Sequence, residues 1–598
     1  MKQSTWDFSA LFKSDSDPAI ASHRKAVTTQ ANNFIKSWKQ NDSYLTNSSS
    51  LLTALDQYNN WLEFYSDNFK EVFYFSLRLE QDETNHLVKA KLNQAIMFSQ
   101  DISNQMSFFT IRLAKIPAIQ QTKFLKDKSL ATYHYFLKNL FAEGAHTLSE
   151  AEEKILNLKS APAHSNWVRM TSSLLATENV STQNPDQKTV EANLNQLLQF
   201  LSSPKKTVRE QANNQINIIL SKYTGVAENE INSILQDKQI EDDLRNFTRP
   251  DAARHLSDEI DSKTVDTLVA TVSKHFKVAQ DYYALKAQLM GQSKLAYHER
   301  NVELGNLTAK YPYPKASQLI LEAFTNLDPE FADITNQFIS EHRIDVFPAK
   351  GKSGGAFCAS GLKSMPIYLL LNHSDRLDDV LTMAHELGHG IHYALAQKVQ
   401  PAIYYSASLA TAEVASTFME DFVLEHIVQE ADDQTKLDLL MMKLNSDIST
   451  IFRQIACYNF ETELHTEFRK HGYLNHDQIG TIFQRHMASY MGKAVDQPET
   501  AKLWWIYWGH IRRFFYVYSY ANGLLISKAL QRQVKTDPSR IKQVKQFMAA
   551  GSSNSPEAIF KALDIDITKS DFWEQGIAEI QANLKTAKAL AKKLGKIK

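Results

Sequence analysis

Cysteine, glycine and proline are all scarce in this chain, and each scarcity narrows the class of protein it can be. Only two cysteines, Cys358 and Cys457, occur in 598 residues. This excludes a disulfide-stapled secreted scaffold and a cysteine-rich zinc ribbon, and it favours a reducing, cytoplasmic location. Glycine contributes 18 residues and proline 15. Because both residues interrupt helices, so low a content predicts a mainly α-helical protein.

An excess of charge and a long apolar run are also missing. The chain has 66 lysines and arginines against 67 aspartates and glutamates, a balance that argues against binding to nucleic acid or to a membrane surface. The longest uncharged apolar run, MPIYLLL (365–371), is far shorter than the roughly twenty residues that span a bilayer. The N-terminal sequence MKQSTWDFSALFKSDSD lacks the apolar centre of a signal peptide. We therefore expect a soluble cytoplasmic protein.

The length of the chain predicts more than one lobe, since single hydrophobic cores stop growing at roughly 250–300 residues. Amphipathic patterns such as SLLTALDQYNNWLEFY (50–65) and TVEANLNQLLQFL (189–201) predict helices up to about residue 200, and ENVSTQNPDQK (178–188) reads as a polar connection. We predict an N-terminal helical domain over 1–203 and a catalytic domain over 204–598.

Six of the 18 glycines lie between residues 351 and 390, where the composition of the sequence changes. AKGKSGGAFCASGLKSMPIYLLLN (349–372) is glycine-rich and then apolar, which predicts a small strand unit and the only sheet of the protein. Gly354 and Gly355 would let a peptide backbone approach its edge and pair with it as an added strand. We interpret Cys358 as a small wall residue of this unit rather than as a nucleophile.

The stretch LTMAHELGHGIHYALA (381–396) places three histidines and a glutamate in an apolar helix predicted over 374–398. His385 and His389 are four residues apart, so they lie one turn apart on the same face and can bind one ion. Glu386 projects about 100° around the axis from His385, so it can reach a water molecule on the metal without being a ligand. This HExxH spacing on a helix is the arrangement of zinc metalloproteases, with the glutamate as general base.

A catalytic zinc site needs a third protein ligand, and the sequence offers two candidates. His392 lies on the histidine face, but three ligands along one straight helix span too great a length for short bonds to one ion. Glu413 lies in a second predicted helix, SLATAEVASTFMEDFVLEH (408–426), whose small residues permit close packing. Glu420, seven residues further, can hydrogen-bond a ligating imidazole. The predicted ligands of one zinc ion are His385, His389 and Glu413, with His392 as the alternative third ligand and otherwise a group beside the ligands or the substrate.

Taken together, these motifs resemble the oligoendopeptidase F family, relatives of the thimet oligopeptidases. HELGHGIH is followed by AEVASTFMED, with Glu413 twenty-four residues after His389. The other matching segments are KSGGAFC (352–358), PIYLLLN (366–372), GHIRRFFYVYSYANG (509–523), FMAAGSSNSPEAIFKALDIDI (547–567) and, more weakly, RPDAARHLSDEI (249–260). The resemblance is strong over about 350–570.

The resemblance implies a mainly α, zincin-like fold with two helical lobes around a deep channel and one small β unit next to the HExxH helix. It further implies that zinc lies at the floor of the channel and that short peptides, rather than folded proteins, are cleaved. Oligopeptides are therefore the expected partners, with no nucleic acid and no membrane.

The resemblance also gives a role to GHIRRFFYVYSYANG, as the source of donors that stabilise the negative oxygen of a tetrahedral intermediate. The available donors are His510, Tyr516, Tyr518 and Tyr520. Because alternate positions scatter around a helix axis, the three tyrosines cannot all face one site. We predict His510 and Tyr518 as donors, then Tyr516, and expect Tyr520 to lie in the core.

The sequence thus predicts a zinc-dependent endopeptidase, with Glu386 as the base and then the acid in attack by a metal-activated water. A metallo-exopeptidase on the same fold and a catalytically silent peptide-binding scaffold with structural zinc stay open as alternatives. The intact Glu386 argues against the scaffold, since a structural site has no use for a base. Arg512 and Arg513 could meet either a peptide carboxylate or an internal acid, and the sequence does not distinguish these.

Overall fold

A computed structural model describes residues 4–66, 69–186, 188–305 and 309–598 of the chain. The protein is mostly helical, as its composition predicts. The chain folds into two compact units, each assembled from three separate stretches of sequence. Unit 1 comprises 1–145, 308–429 and 533–565, whereas unit 2 comprises 146–307, 430–532 and 566–598.

The two units differ from the two predicted domains, 1–203 and 204–598. Each unit takes residues from both sides of the predicted boundary, and the chain passes between the units several times. The helical pattern is the same before and after residue 204, so amphipathicity gives no signal of which core a helix joins. That choice depends on packing between helices far apart in sequence.

The described residues form 26 α-helices. The first thirteen are α1 (Ala19–Trp38), α2 (Ser48–Phe64), α3 (Lys70–Gln81), α4 (His86–Met106), α5 (Phe108–Ala114), α6 (Ala118–Lys126), α7 (His134–Gly144), α8 (Glu150–Ser160), α9 (Asn166–Thr177), α10 (Leu194–Phe200), α11 (Lys206–Lys222), α12 (Thr224–Leu244) and α13 (Ala252–Ser257). The others are α14 (Ser262–Lys274), α15 (Phe276–Leu289), α16 (Tyr313–Leu327), α17 (Pro329–Ser340), α18 (Leu377–Val399), α19 (Leu409–Glu430), α20 (Asp433–Asp447), α21 (Arg453–His471), α22 (His476–Met491), α23 (Tyr518–Thr536), α24 (Ile541–Ala550), α25 (Pro556–Lys561) and α26 (Ser570–Lys593).

Unit 2 contains a two-stranded antiparallel sheet where the sequence predicts a polar connection and the start of a helix. β1 (Asn179–Gln183) pairs with β2 (Thr189–Asn193), and the helix predicted over 189–201 begins only at Leu194. The prediction of a single sheet in the protein is therefore wrong. Each strand buries one residue, Thr182 or Ala192, which is too few to produce a visible two-residue period.

A three-stranded sheet in unit 1 is the small strand unit predicted at 349–372. β3 (Ile344–Asp345) runs parallel to β5 (Tyr368–Leu370), and β4 (Phe357–Ala359) pairs antiparallel with the other side of β5. β4 is therefore an edge strand, with no strand on its outer side in the described part of the chain. The sheet packs on α18, since both β4 and β5 contact that helix.

The glycine-rich loop before β4 is fixed by side chains from both ends of the sheet. Lys352 has a side chain that is 2% exposed, and its Nζ donates to the Asp345 carboxylate at 2.7 Å and to the Leu371 carbonyl at 2.6 Å. The side chain of Asn372 donates to the Gly355 carbonyl at 2.8 Å. These bonds hold the loop and the edge strand in one place relative to α18.

Candidate active site

The helix that carries the HELGH motif, α18, begins at Leu377 and ends at Val399, close to the prediction. Asp379 caps its first turn, because its Oδ2 accepts hydrogen bonds from the backbone N–H groups of Ser374 and Arg376, each at 2.8 Å. The same carboxylate lies at the positive end of the helix dipole. The cap begins the helix at a defined residue, two turns before the first histidine of the motif.

Two glycines of the motif let other elements approach α18 closely. A Cβ atom at Gly388 would lie 2.6 Å from the Ser416 Cα and 2.8 Å from the Ala415 carbonyl oxygen of α19, closer than real Cβ atoms come to such neighbours. A Cβ at Gly390 would lie 2.8 Å from the ring of Phe338 on α17. The glycine between Leu387 and His389 therefore sets the distance at which α19 crosses the metal-binding turn.

This close approach brings the predicted ligands together. Nε2 of His385 lies 3.3 Å from Oε2 of Glu413, and Nε2 of His389 lies 3.6 Å from the same oxygen. One ligand atom from each residue lies within 4.8 Å of the others, and this is the one such group of three found among the described residues. Two imidazoles and a carboxylate are the donor set of catalytic zinc sites, so the residues fit the predicted metal.

Two further side chains orient these ligands. Oε2 of Glu420 lies 3.1 Å from Nδ1 of His385, which directs the Nε2 of that imidazole towards Glu413. The hydroxyl of Ser416 lies 3.0 Å from Oε2 of Glu413. The contact between Glu420 and His385 agrees with the prediction from the seven-residue spacing between Glu413 and Glu420. Ser416 is an additional partner, and its i+3 position relative to Glu413 was the available sequence signal.

Strong electrostatic attraction joins these groups. Burial alone lowers the pKa of His385, but its contacts with Glu413 and Glu420 outweigh burial and raise the pKa to about 10. Burial likewise opposes ionisation of Glu413, whereas its contacts with His385 and His389 hold its pKa well below the usual range. A cation that binds here replaces a proton on His385, so metal binding at this site releases protons.

Glu386 is buried beside the ligands without joining them. It is 7% exposed and is absent from the group of potential ligands. Burial raises the pKa of its carboxyl group, although His385 and His389 act in the opposite direction. The backbone N–H of Cys358 in β4 also acts to lower this pKa. The edge strand therefore lies beside the carboxylate that the sequence predicts as general base.

His392 lies away from the ligand atoms of the group. It is 3% exposed, and its ring packs 5.6 Å from that of Phe547 on α24 and 6.0 Å from that of Tyr393. Burial lowers its pKa to about 3, so the ring is neutral near pH 7. The structure thus favours Glu413 over His392 as third ligand, and it places His392 in apolar packing between helices.

Cys358 is half-buried in β4, and burial raises the pKa of its thiol well above the ordinary value. The negative charge of Glu386 acts in the same direction. A thiol that keeps its proton is a poor nucleophile. These properties support the interpretation of Cys358 as a wall residue.

In unit 2, three of the candidate donors form one aromatic group, which we call the donor cluster: His510, Tyr516 and Tyr520. The ring of His510 stacks on Tyr516 at a centroid distance of 5.5 Å and lies 5.9 Å from Tyr520. The two tyrosine hydroxyls are 3.5 Å apart. Burial lowers the pKa of His510 to about 4, aided by the charges of Arg453 and Arg513, so its imidazole is neutral near pH 7.

The burial of the tyrosines differs from the expectation that Tyr520 lies in the core, and it bears on the predicted donor Tyr518. Tyr518 is 0% exposed, and its hydroxyl donates to Oδ2 of Asp258 at 2.6 Å. Tyr520, expected in the core, is instead partly exposed beside Tyr516. Tyr516 precedes α23 and Tyr520 lies four residues later, so these two share a side while Tyr518 points to the opposite one.

Arg512 meets an internal acid, which decides one of the alternatives left open by the sequence. It is 4% exposed, and its Nε and Nη2 donate to the two carboxylate oxygens of Glu230, each at 2.9 Å. Glu230 is 0% exposed. Arg513 is exposed, and its guanidinium lies 6.0 Å from the ring centre of Tyr516.

Comparison with known protein families agrees with the site. The family model described as Peptidase family M3 matches residues 199–579, which is more than half of the chain. A second model, described as Oligopeptidase F, matches residues 112–177. The first match contains both metal-site helices and the donor cluster.

Similar proteins are found along the whole chain. An oligoendopeptidase F homolog of Borreliella burgdorferi is 25% identical and covers 98% of each chain. Oligopeptidase PepF of Bacillus subtilis is 24% identical over 83% of this chain and 75% of its own. Group B oligopeptidase PepB of Streptococcus agalactiae is 22% identical over 97% and 96%.

Solved structures show the same fold. A peptidase from Chlamydophila abortus superimposes with a TM-score of 0.85 at 21% identity, covering 98% of each chain. Oligoendopeptidase-F from Enterococcus faecium gives a TM-score of 0.70 at 19% identity, covering 96% of this chain and 99% of that one. The prediction of an oligoendopeptidase F type of metallopeptidase is confirmed, and the chain belongs to peptidase family M3.

Proposed function

We propose that this metallo-oligopeptidase binds one zinc ion through His385, His389 and Glu413 and cleaves internal bonds of short peptides. The observation that carries the proposal is the convergence of two Nε2 atoms and one carboxylate oxygen from α18 and α19. The names of the relatives, which are oligopeptidases and oligoendopeptidases, support peptides of limited length as substrates.

The chemistry of the donor set favours zinc. Imidazole and carboxylate ligands also accept other divalent ions, but three such ligands with an open fourth position are typical of catalytic zinc. When bound, zinc polarises a carbonyl group and makes a water molecule acidic near neutral pH. Glu420 and Ser416 hold the ligands in the orientation that this binding requires.

Glu386 moves the proton in the proposed reaction. Its carboxylate accepts a proton from the attacking water and delivers it to the nitrogen of the leaving amine. The carboxylate is buried beside the two histidines, so it lies close enough to the candidate metal site to exchange a proton there.

The outer edge of β4 is the proposed binding surface for the peptide backbone. β4 is an edge strand, and strand addition would supply main-chain hydrogen bonds that ignore the peptide's side chains. A Cβ built on Gly354 or Gly355 meets no atom within 4 Å, so this loop leaves open space next to the strand. The assignment of His510 and Tyr516 as donors to the tetrahedral oxygen stays a prediction, and we propose Tyr520 as a further candidate because it lies beside both.

A cytoplasmic location and the absence of nucleic-acid partners likewise stay predictions from composition. In the described part of the chain, none of the helices combines the length and the apolar character needed to cross a membrane.

The proposal is tested with internally quenched fluorescent peptides of several lengths. We expect cleavage at internal bonds, identified by mass spectrometry of the products, that a chelator abolishes and zinc restores. Trimming of residues from one end would show an exopeptidase instead. Purified protein that holds no metal, and that gains no peptidase activity when zinc is supplied, would contradict the proposal.

A further inference from the structure

The segment that precedes α23 in unit 2 has an unusual backbone. Phe514 and Phe515 are adjacent, and both adopt positive φ, at +46° and +57°. This left-handed region is disfavoured for residues with large side chains and persists only where surrounding contacts impose it. The segment carries His510 on one side of the two phenylalanines and Tyr516 immediately after them.

A buried carboxyl group on α21 makes one of these contacts. The backbone N–H of Phe515 donates to Oε2 of Glu461 at 2.7 Å, and Glu461 is 0% exposed. One turn further along α21, the ring of His465 packs against those of Phe514 and Phe515, with centroids 5.2 and 4.7 Å away. Glu461 thus binds the strained backbone directly, and His465 fills the space around it.

A buried ion pair fixes the other half of the segment. Besides its two bonds to Glu230, Arg512 donates from Nη1 to the carbonyl oxygens of Trp505 and Trp508, at 3.0 and 3.1 Å. The carbonyl of Arg512 itself lies 2.9 Å from Nε2 of His164. The buried Arg512–Glu230 ion pair therefore connects the turn around His510 to α12.

We propose that Glu461 and the Glu230–Arg512 pair are positioning residues, which impose the strained backbone of 509–516 and so hold the donor cluster in its working arrangement. The proposal rests on the proposed function, in which His510 and Tyr516 act as donors. Neither carboxylate touches the donor side chains, so both act through the backbone. A misplacement of about 1 Å in a catalytic group lowers the rate by about 10²-fold.

The protonation of Glu461 determines which substitution preserves the contact. Burial raises its pKa to about 8, against the lowering effect of the Phe515 N–H, so the protonated form predominates near pH 7. Glutamine has the shape of the protonated acid and keeps a carbonyl oxygen that can accept the same hydrogen bond. Methionine has similar length but no comparable acceptor.

The experiment compares Glu461→Met with Glu461→Gln in the full-length zinc-loaded enzyme. We expect Glu461→Met to lower kcat by about 10–100-fold with little change in KM or bound zinc, and Glu461→Gln to stay within about 3-fold of the unmodified enzyme. Affinity for a peptide phosphonate, which imitates the tetrahedral anion, should fall in parallel with kcat. Arg512→Lys is a second variant, to be used should Glu461→Met fail to fold. It keeps the positive charge but loses the two parallel hydrogen bonds to Glu230. We expect it to lower kcat by less than Glu461→Met does.

A matched control separates positioning from general destabilisation of unit 2. Glu299 is also 0% exposed and is paired with Arg209 at 2.6 Å, but it makes no contact with segment 509–516 in the described interactions. Glu299→Met should lower the melting temperature and leave the kcat of the folded enzyme unchanged.

Three outcomes overturn the proposal. In the first, Glu461→Met and Arg512→Lys lower the melting temperature but not kcat. In the second, Glu299→Met lowers kcat as much as Glu461→Met. In the third, His510→Ala leaves kcat unchanged, which refutes the donor role in the proposed function and leaves nothing to position. Failure of the metal-dependent peptidase function itself is recognised separately, because the unmodified protein would then show no zinc-dependent cleavage of the quenched peptides.

Discussion

The candidate metal site in unit 1 and the donor cluster in unit 2 are built in different ways. At the metal site, His385, Glu386 and His389 occupy one turn of α18, and a single helix crossing adds Glu413. In the donor cluster, Tyr520 lies in the first turn of α23, whereas His510 and Tyr516 extend from the preceding segment, whose shape depends on buried partners from distant parts of the sequence. Most of the candidate metal site therefore comes from one short stretch of sequence, whereas the donor cluster depends on residues far apart in the sequence.

This difference explains where prediction from sequence works. A helix fixes the relative direction of side chains at known spacings, so the relative placement of His385, Glu386 and His389 follows from their positions in the sequence, while their roles stay predictions. No comparable rule covers a turn with two consecutive positive φ angles. Three mutational tests examine the comparison, from the largest expected effect to the smallest.

The largest effect is expected at Glu386. Glu386→Gln removes the base but no ligand, so kcat should fall by about 10²–10⁴-fold while zinc content is unchanged. Stopped assays with a quenched peptide and metal analysis of the same sample measure both quantities. The matched control is Asp378→Asn, which replaces an exposed acid on the same helix and should change neither kcat nor zinc content. A variant that loses zinc together with activity would make Glu386 a ligand rather than a base.

A smaller effect, on metal affinity, is expected at Glu413. Loss of a residue that only hydrogen-bonds a metal ligand weakens metal binding by about 10–100-fold. Glu413→Ala removes a proposed ligand itself, so it should weaken zinc binding by more than this. His392→Ala should keep zinc and instead lower the melting temperature, because the ring packs on Phe547. Equilibrium dialysis against a competing chelator measures the affinity. The reverse pattern would transfer the role of third ligand to His392.

The smallest effect on turnover is expected at Tyr518. Tyr518→Phe removes the short hydrogen bond to the buried Asp258, which keeps only its longer bond from Arg254, and should lower the free energy of unfolding by about 1–3 kcal/mol, with kcat nearly unchanged. Tyr516→Phe should do the opposite, leaving stability intact and lowering kcat, up to the about 10²-fold that loss of one oxyanion donor produces. Denaturant titration and kinetics of both variants decide between them. Equal kinetic loss in both would restore Tyr518 as a donor.

The mainly helical fold class could be predicted from the sequence, but the division of the chain into two units could not. Few glycines and prolines predict helices, and the change in composition near 351 predicts the small sheet, which the structure confirms. The hairpin at 179–193 is missed because its strands bury only one residue each. The units cross the predicted boundary at 203/204 because amphipathic helices on both sides of it are equally suited to either core.

By itself, the sequence of this protein determined which side chains meet at the candidate metal site: two histidines of one helix and an acid from a second helix. It could do so because helical spacing converts sequence separation directly into direction. Only the tertiary structure decided which tyrosines share a side with His510, and that Tyr518 serves as an anchor. The reason is that a turn held by buried polar groups, such as the carboxyl group of Glu461 and the Glu230–Arg512 ion pair, takes its shape from contacts that no local pattern contains.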